Sequence, residues 1–138
     1  MDRESAVKFI HANFGGVIED SPWQDSPEYT VFRHTDNRKW FALFATVSYA
    51  TLAKQNPQRF AELTETELHL PVDILNLKSD PDLIEEITKA PGILPAYHMS
   101  KRHWLTILLD GSCPSDQIKN LISMSYNLTV KHFRYKVF

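Results

Sequence analysis

Six residues able to recognise a ligand fall within one short stretch of this 138-residue chain: Tyr97, His98, Lys101, Arg102, His103 and Trp104. Lysine and arginine bind phosphate or carboxylate, and tyrosine or tryptophan can stack on a base or pack against a partner. Tyr97, His98 and Arg102 by themselves could form a small-anion or metabolite pocket. The competing readings are structural: Trp104 in the core, His98 hydrogen-bonded within its loop, and Lys101-Arg102 as a solvated turn. His98 and His103, five residues apart, could converge on a metal, but the intervening cations Lys101 and Arg102 would repel one. No metal and no cofactor is therefore expected.

Catalytic signatures are missing elsewhere. The sequence has no G-x-x-x-x-G-K-[ST], G-x-G-x-x-G, G-x-S-x-G or H-E-x-x-H pattern, and only four glycines with which to cradle a phosphate. Cys113, the single cysteine, precedes Pro114 near a helix start, where a thiolate would be favoured, but no base accompanies it. Asp80, Asp82, Glu85 and Glu86 fit a helix start and a solvated face better than a carboxylate pair. No catalytic residue is assigned, and a non-enzymatic protein is expected. The C-terminal Lys131, Arg134 and Lys136 alternate with Phe133, Tyr135 and Val137. That interleaving suits nucleic-acid binding or an aromatic tail packed on the domain.

Composition bounds these readings. A hydrophobic share of 43% with 12% aromatics belongs to a folded chain, and 138 residues suffice for one domain spanning the whole sequence. A single cysteine excludes an intrachain disulfide framework and suits a reducing cytoplasm. No apolar run reaches membrane-spanning length and no signal-peptide pattern opens the chain, so a soluble cytoplasmic protein without a membrane partner is expected. The net charge of −2 disfavours a generic polyanion binder. Its distribution is uneven: residues 1–88 hold 8 Lys/Arg against 15 Asp/Glu, and residues 89–138 hold 7 against 2. Such asymmetry can create a face for an acidic partner, unless the two parts intermingle on folding.

The candidate residues must be positioned by the elements around them. Asp2 can cap a helix carrying Val7, Ile10 and Phe14, stopped by Gly15-Gly16. Val17–Glu19 starts a short strand, and the proline-rich turn SPWQDSPEY follows. Tyr29–Arg33 and Lys39–Tyr49 form an antiparallel hairpin across a polar turn. Residues 50–70 are expected as a short helix or long excursion, with Asn56-Pro57 as its start. Val72 to Lys78 is a strand, and Asp80-Pro81-Asp82 opens a helix bearing Leu83, Ile84 and Ile87. Pro91 to Ser100 is expected as a loop of defined shape, leading into a buried strand from Trp104 to Leu109. Pro114 opens the last helix, with Ile118, Leu121, Ile122, Ser125 and Leu128 as its core stripe. The order implies an α+β fold: a two-layer sandwich with an antiparallel sheet of about five strands and helices packed on one face.

These same segments resemble the YjbR (MmcQ/YjbR-like) family. The resemblance is carried by WFALF at 40–44, VDILNLKSDPDLIEEI at 72–87, PGILPAYHMSKRHWLTILLDG at 91–111 and SYNLTV at 125–130; residues 50–70 match weakly. It implies a secretion-chaperone-like two-layer domain and the label of a predicted DNA-binding protein with a double-wing motif. Carried onto matching positions, the implied contacts are Lys78, His98, Lys101, Arg102 and His103, with no catalytic residue. Together with Tyr97 and the basic C-terminal residues Lys131, Arg134 and Lys136, they form the nucleic-acid or anion-binding set. The leading expectation is a small binding protein with DNA as partner. The alternatives are a protein-interaction adaptor, as a homodimer or with a specific protein partner, and a small-anion or metabolite-binding domain.

Overall fold

The structure, a computed structural model, describes residues 1–130, so Lys131, Arg134 and Lys136 lie outside the described residues. The chain runs α1 (Arg3–Asn13), β1 (Val17–Asp20), β2 (Thr30–His34), β3 (Trp40–Ser48), α2 (Tyr49–Ala53), a 3-10 turn (Pro57–Phe60), α3 (Glu65–Leu68), β4 (Pro71–Lys78), α4 (Ile84–Ile87), β5 (Ile93–Pro95), β6 (Trp104–Leu108) and α5 (Ser115–Thr129). All six strands join one sheet in the order β1-β2-β3-β4-β6-β5, and every neighbouring pair is antiparallel. The fold is α+β, an open sheet with helices packed on it.

The additional strand is β5, inside the stretch expected to be a loop. Among the described residues it pairs only with β6, and an edge position tolerates the missing N–H of Pro95. Gly92 leads into it at φ +77°, where a Cβ would lie 2.6 Å from the backbone nitrogen of Cys113. Only glycine lets the strand approach the start of α5 so closely.

Local capping follows the sequence in part. Asp2 accepts the Ser5 N–H at 2.8 Å, as expected for the start of α1. Asp80 instead accepts the Asp82 N–H at 2.9 Å, and the helix that follows is only the single turn Ile84–Ile87. A short side chain bonded to backbone two residues on competes with helix initiation. Residues 50–70 hold three short helical pieces, entered at Ser48, at Asn56 with Pro57 first in its turn as expected, and at Thr64. Ser48 caps α2 and Thr64 forms a capping box with Glu67, whereas the Asn56 side chain donates back to the Leu52 carbonyl.

The two longest helices, α1 and α5, cover one face of the sheet. Ala6, Ile10, Ile118, Leu121 and Ile122 pack there on Phe32, Phe41, Phe44, Leu75, Leu77, Leu105 and Ile107. Leu128 is 42% exposed, and Thr129 is buried in its stead. The step from Ser125 to Thr129 keeps the stripe on the helix's inner line, and Leu128 falls off it. On the second face, Leu52 and Phe60 close over Ala45, Val72, Ile74, Leu94 and Leu108.

A β-bulge decides which face the middle of the chain presents. Phe32 pairs with Ala42 but Arg33 pairs with Trp40, so Phe41 is the extra residue. Phe41 and Ala42 therefore both point at the helices, and Trp40 emerges on the second face beside Arg33. The bulge also disrupts the ladder between β3 and β4, which ends at Ala42 and Leu77. The Ser125 hydroxyl repairs this gap, donating to the Phe41 carbonyl and accepting the Lys78 N–H at 2.9 Å.

One buried histidine ties the end of α5 to the sheet. His34 is 2% exposed and lies against the rings of Phe41 and Tyr126. Its Nε2 is 2.7 Å from the Thr129 hydroxyl, which itself donates to the Ser125 carbonyl. Thr129 must then accept, so Nε2 carries the proton of a neutral ring. Burial pushes the His34 pKa below its ordinary 6.5, although nearby Asp36 opposes this.

Two predictions follow from these contacts. Ser125→Ala strands a buried carbonyl and a buried N–H, so thermal denaturation should register a loss of about 1–3 kcal/mol. An unchanged melting temperature would show that water replaces the hydroxyl. For His34 the folded pKa lies below the unfolded one, so the unfolded chain takes up the proton first as pH falls through about 6.5. Stability should therefore drop between pH 7 and pH 5. In His34→Gln, melting followed across that range should lose this part of the slope, and an unaltered slope would assign it to other groups.

Candidate functional site

The second face of the sheet is covered at one end by the 49–68 helices and framed at the other by two loops. One loop is residues 97–103. It is anchored by a buried polar pair on that face, Asn76 and Thr106, which stand opposite one another in β4 and β6. Thr106 donates to Asn76 Oδ1 and accepts the Tyr97 N–H at 2.8 Å, while Asn76 Nδ2 donates to the Tyr97 carbonyl at 2.9 Å. Both backbone polar groups of Tyr97 are thereby held by the sheet. His98 follows at φ +58°, a left-handed conformation uncommon outside glycine, and its ring stacks on Tyr97 with centroids 3.9 Å apart at 12°. Lys101 Nζ donates to the Ala96 carbonyl at 3.1 Å, and the Ser100 carbonyl accepts the N–H groups of His103 and Trp104.

The other loop is residues 21–29, folded as two successive turns closed by Ser26 N–H to Trp23 and Tyr29 N–H to Ser26. Arg3 of α1 holds its far end, donating to the Glu28 carbonyl at 2.7 Å and to Thr30 at 3.1 Å. Trp23 is 44% exposed and meets Tyr29 and Trp40 edge-on at 5.4 and 5.8 Å. Burial, and secondarily contact with the Tyr29 phenol, raise the Tyr97 pKa above its ordinary 10.0, so its hydroxyl stays protonated at neutral pH.

Between the two loops lies a cleft of about 440 Å³, lined by Trp23, Ser26, Tyr29, Trp40, Leu43, His98 and Met99. Its walls are aromatic and its floor is the aliphatic Leu43. Cations stand on the side of the 97–103 loop: Lys101 and Arg102 are exposed on the turn, and Lys78 lies on β4 opposite Trp104. Among the described residues no carboxylate pairs with Lys78, Lys101 or Arg102. Arg33, the cross-strand neighbour of Trp40, is bound to Asp20 at 2.9 Å and keeps its buried Nε without a partner. All three tryptophans of the chain, Trp23, Trp40 and Trp104, thus lie at this end of the second face.

Of the expected residues, Tyr97, His98, Lys101, Arg102 and Lys78 are gathered here. His103 instead contributes backbone, its carbonyl accepting the Ser79 N–H at 2.8 Å. Trp104 is half-buried beside Lys78 rather than in the core. Trp23, Tyr29, Trp40 and Met99 were not indicated by periodicity. A tryptophan between Pro22 and Pro27, in a segment with no periodic pattern to bury it, was the available signal.

Other candidates fall away. A second cleft of about 560 Å³ lies at the opposite end of the face, by Tyr49, Arg59, Phe60, Leu94, Asp110 and Ser112. Its Arg59 and Asp110 are engaged in holding the fold. Arg59 donates to the carbonyls of Thr88, Ala90 and Ile93, clamping the 57–60 turn against the chain before β5. Asp110 accepts from the Tyr49 hydroxyl at 2.7 Å and from Ser112, which raises the Tyr49 pKa to about 12, burial being the larger cause. Cys113 is 1% exposed, and burial pushes its thiol pKa up, against the activated thiolate its place near a helix start would favour. Among the described residues no three His, Cys, Asp or Glu side chains gather as metal ligands, and no helix is long and apolar enough to cross a membrane.

Comparison with known proteins places this architecture. The chain is 35% identical over 129 residues to the uncharacterized protein YyaQ of Bacillus subtilis (strain 168), covering 94% of this chain and 98% of the relative. It is 37% identical over 82 residues to the uncharacterized protein YjbR of Escherichia coli (strain K12), covering 59% of this chain and 67% of that one. A crystal structure of a Pseudomonas syringae protein superposes with a TM-score of 0.78 at 36% identity, over 94% of this chain and all of that one. A Deinococcus radiodurans protein superposes at 0.66 with 26% identity, over 95% of this chain and 80% of that one. The YjbR family model matches residues 12–128, and the chain belongs to the YjbR family.

Proposed function

We propose that this protein is a non-enzymatic nucleic-acid-binding module, with DNA as its partner. The observation that carries this reading is the placement of Lys78, Lys101 and Arg102 beside an aromatic cleft, on one end of one sheet face. Cations supply phosphate contacts and ring surfaces supply base stacking, the combination used on unpaired strands. The cleft lining carries one imidazole, one serine hydroxyl and the Tyr29 phenol among rings and apolar side chains, with no carboxylate or thiol, a lining that suits binding.

The number of cations sets the kind of binding. Three side chains neutralise few phosphates, so affinity is modest and its salt dependence shallow compared with a dedicated duplex binder. Single strands are favoured because an unpaired base can reach the aromatic cleft.

Fluorescence anisotropy of a labelled single strand and a random duplex over a salt series tests the reading. Binding should weaken with salt, with a slope of roughly −2 for three phosphate contacts on a single strand. Lys101→Ala with Arg102→Ala should weaken binding similarly across sequences and flatten the slope by about 1 to 2. Unchanged affinity in the double variant would remove the site assignment. Absence of binding at low salt would remove nucleic acid as the partner and favour a protein ligand for the same face.

A further inference from the structure

We infer that the cleft between the two loops receives one unpaired nucleobase, which enters between Trp23 and His98 while its backbone phosphate lies toward Lys101 and Arg102. This inference rests on the nucleic-acid reading above and adds to it a defined subsite. The cleft has room for a base: about 440 Å³ lies within the range of pockets that hold small planar ligands. Its walls offer ring faces and edges from Trp23, Trp40 and His98, with the polarisable Met99 sulfur beside them.

The walls are set before any ligand arrives. His98 is already held in a left-handed conformation with its ring stacked on Tyr97, and Tyr97 is bonded to the sheet through Asn76 and Thr106. Trp40 reaches this face because of the Phe41 bulge. Rigid ring surfaces lose little conformational freedom on binding, which is what a stacking site requires.

Charge gives the bound strand a direction. The 21–29 loop carries the exposed carboxylates Asp25 and Glu28, which repel phosphate, whereas the opposite loop carries Lys101 and Arg102. The ring therefore packs near Trp23 while the sugar-phosphate leaves across the 98–103 side. Double-stranded DNA cannot place a base there without unpairing it.

The full chain tests this with a short thymidine oligonucleotide and the same strand made abasic, which keeps every phosphate and removes every base. Intrinsic tryptophan fluorescence reads the site directly, because all three tryptophans lie at this end of the face. The base-bearing strand should quench that fluorescence and bind roughly 5- to 150-fold more tightly than the abasic strand, the equivalent of one stacked base. Trp23→Ala should erase the difference without changing abasic binding, and Trp23→Phe should restore most of it. Trp23 is 44% exposed and lies outside the two buried clusters, so both variants should stay folded, Trp23→Ala with a small fall in melting temperature from its lost ring contacts. Equal binding of the two strands, or a difference that survives Trp23→Ala, would overturn the base subsite while leaving phosphate binding intact. Binding of neither strand at low salt would overturn the nucleic-acid reading and the subsite with it.

Discussion

The Ser125 hydroxyl occupies the one gap in the sheet on which the surrounding arrangement depends. A bulge at Phe41 leaves a carbonyl on β3 and an N–H on β4 without ladder partners, both beneath α5. Buried backbone groups left unpaired are costly, and a single hydroxyl that both donates and accepts answers both. With that repair the bulge is tolerated, and its consequence is geometric. Phe41 and Ala42 both face the helices, which shifts Trp40 to the opposite face of the sheet. Phe41 fills the core against α5, and Trp40 lines the cleft.

The two faces have different physical characters. Under α1 and α5 the packing is continuous and apolar, interrupted by His34, Ser125 and Thr129, whose hydrogen bonds run among themselves and the backbone. The second face divides into an aliphatic half, closed by Leu52 and Phe60, and a half where Asn76 and Thr106 stand in the sheet. Those two residues would be expensive to bury without partners. They are satisfied by the backbone of Tyr97, so the polar patch in the sheet also determines where the cationic loop sits. Stability and site geometry are coupled at this point, since the same bonds that satisfy the pair orient His98.

The sheet brings together parts of the chain with opposite charge. The acid-rich first part supplies the 21–29 loop and the base-rich last part supplies the 98–103 loop, and they face each other across the cleft. The asymmetry seen along the chain therefore becomes a gradient across one site rather than a uniformly basic surface. On the proposed reading, that gradient would orient a ligand carrying a ring at one end and a phosphate at the other.

Much of this was legible in local patterns. Alternation and helical periodicity located α1, α5 and the central strands, and the clustered residues from Tyr97 to Trp104 marked one wall of the cleft. These signals are local, because apolar spacing and capping act within a few residues. They failed where the outcome depends on distant contacts. Asp80 spends its side chain on a turn, β5 exists because β6 offers an edge, and Thr129 replaces Leu128 because His34 awaits it across the core. The other wall of the cleft could not be read from periodicity at all. Trp23 and Trp40 join His98 only because a bulge, a hydroxyl on α5 and an Asn–Thr pair align segments far apart in sequence. The chain alone thus determined most of its elements, its family and the cationic loop. Tertiary packing alone decided that an aromatic site stands beside that loop, since register and bulges are settled between strands rather than within them.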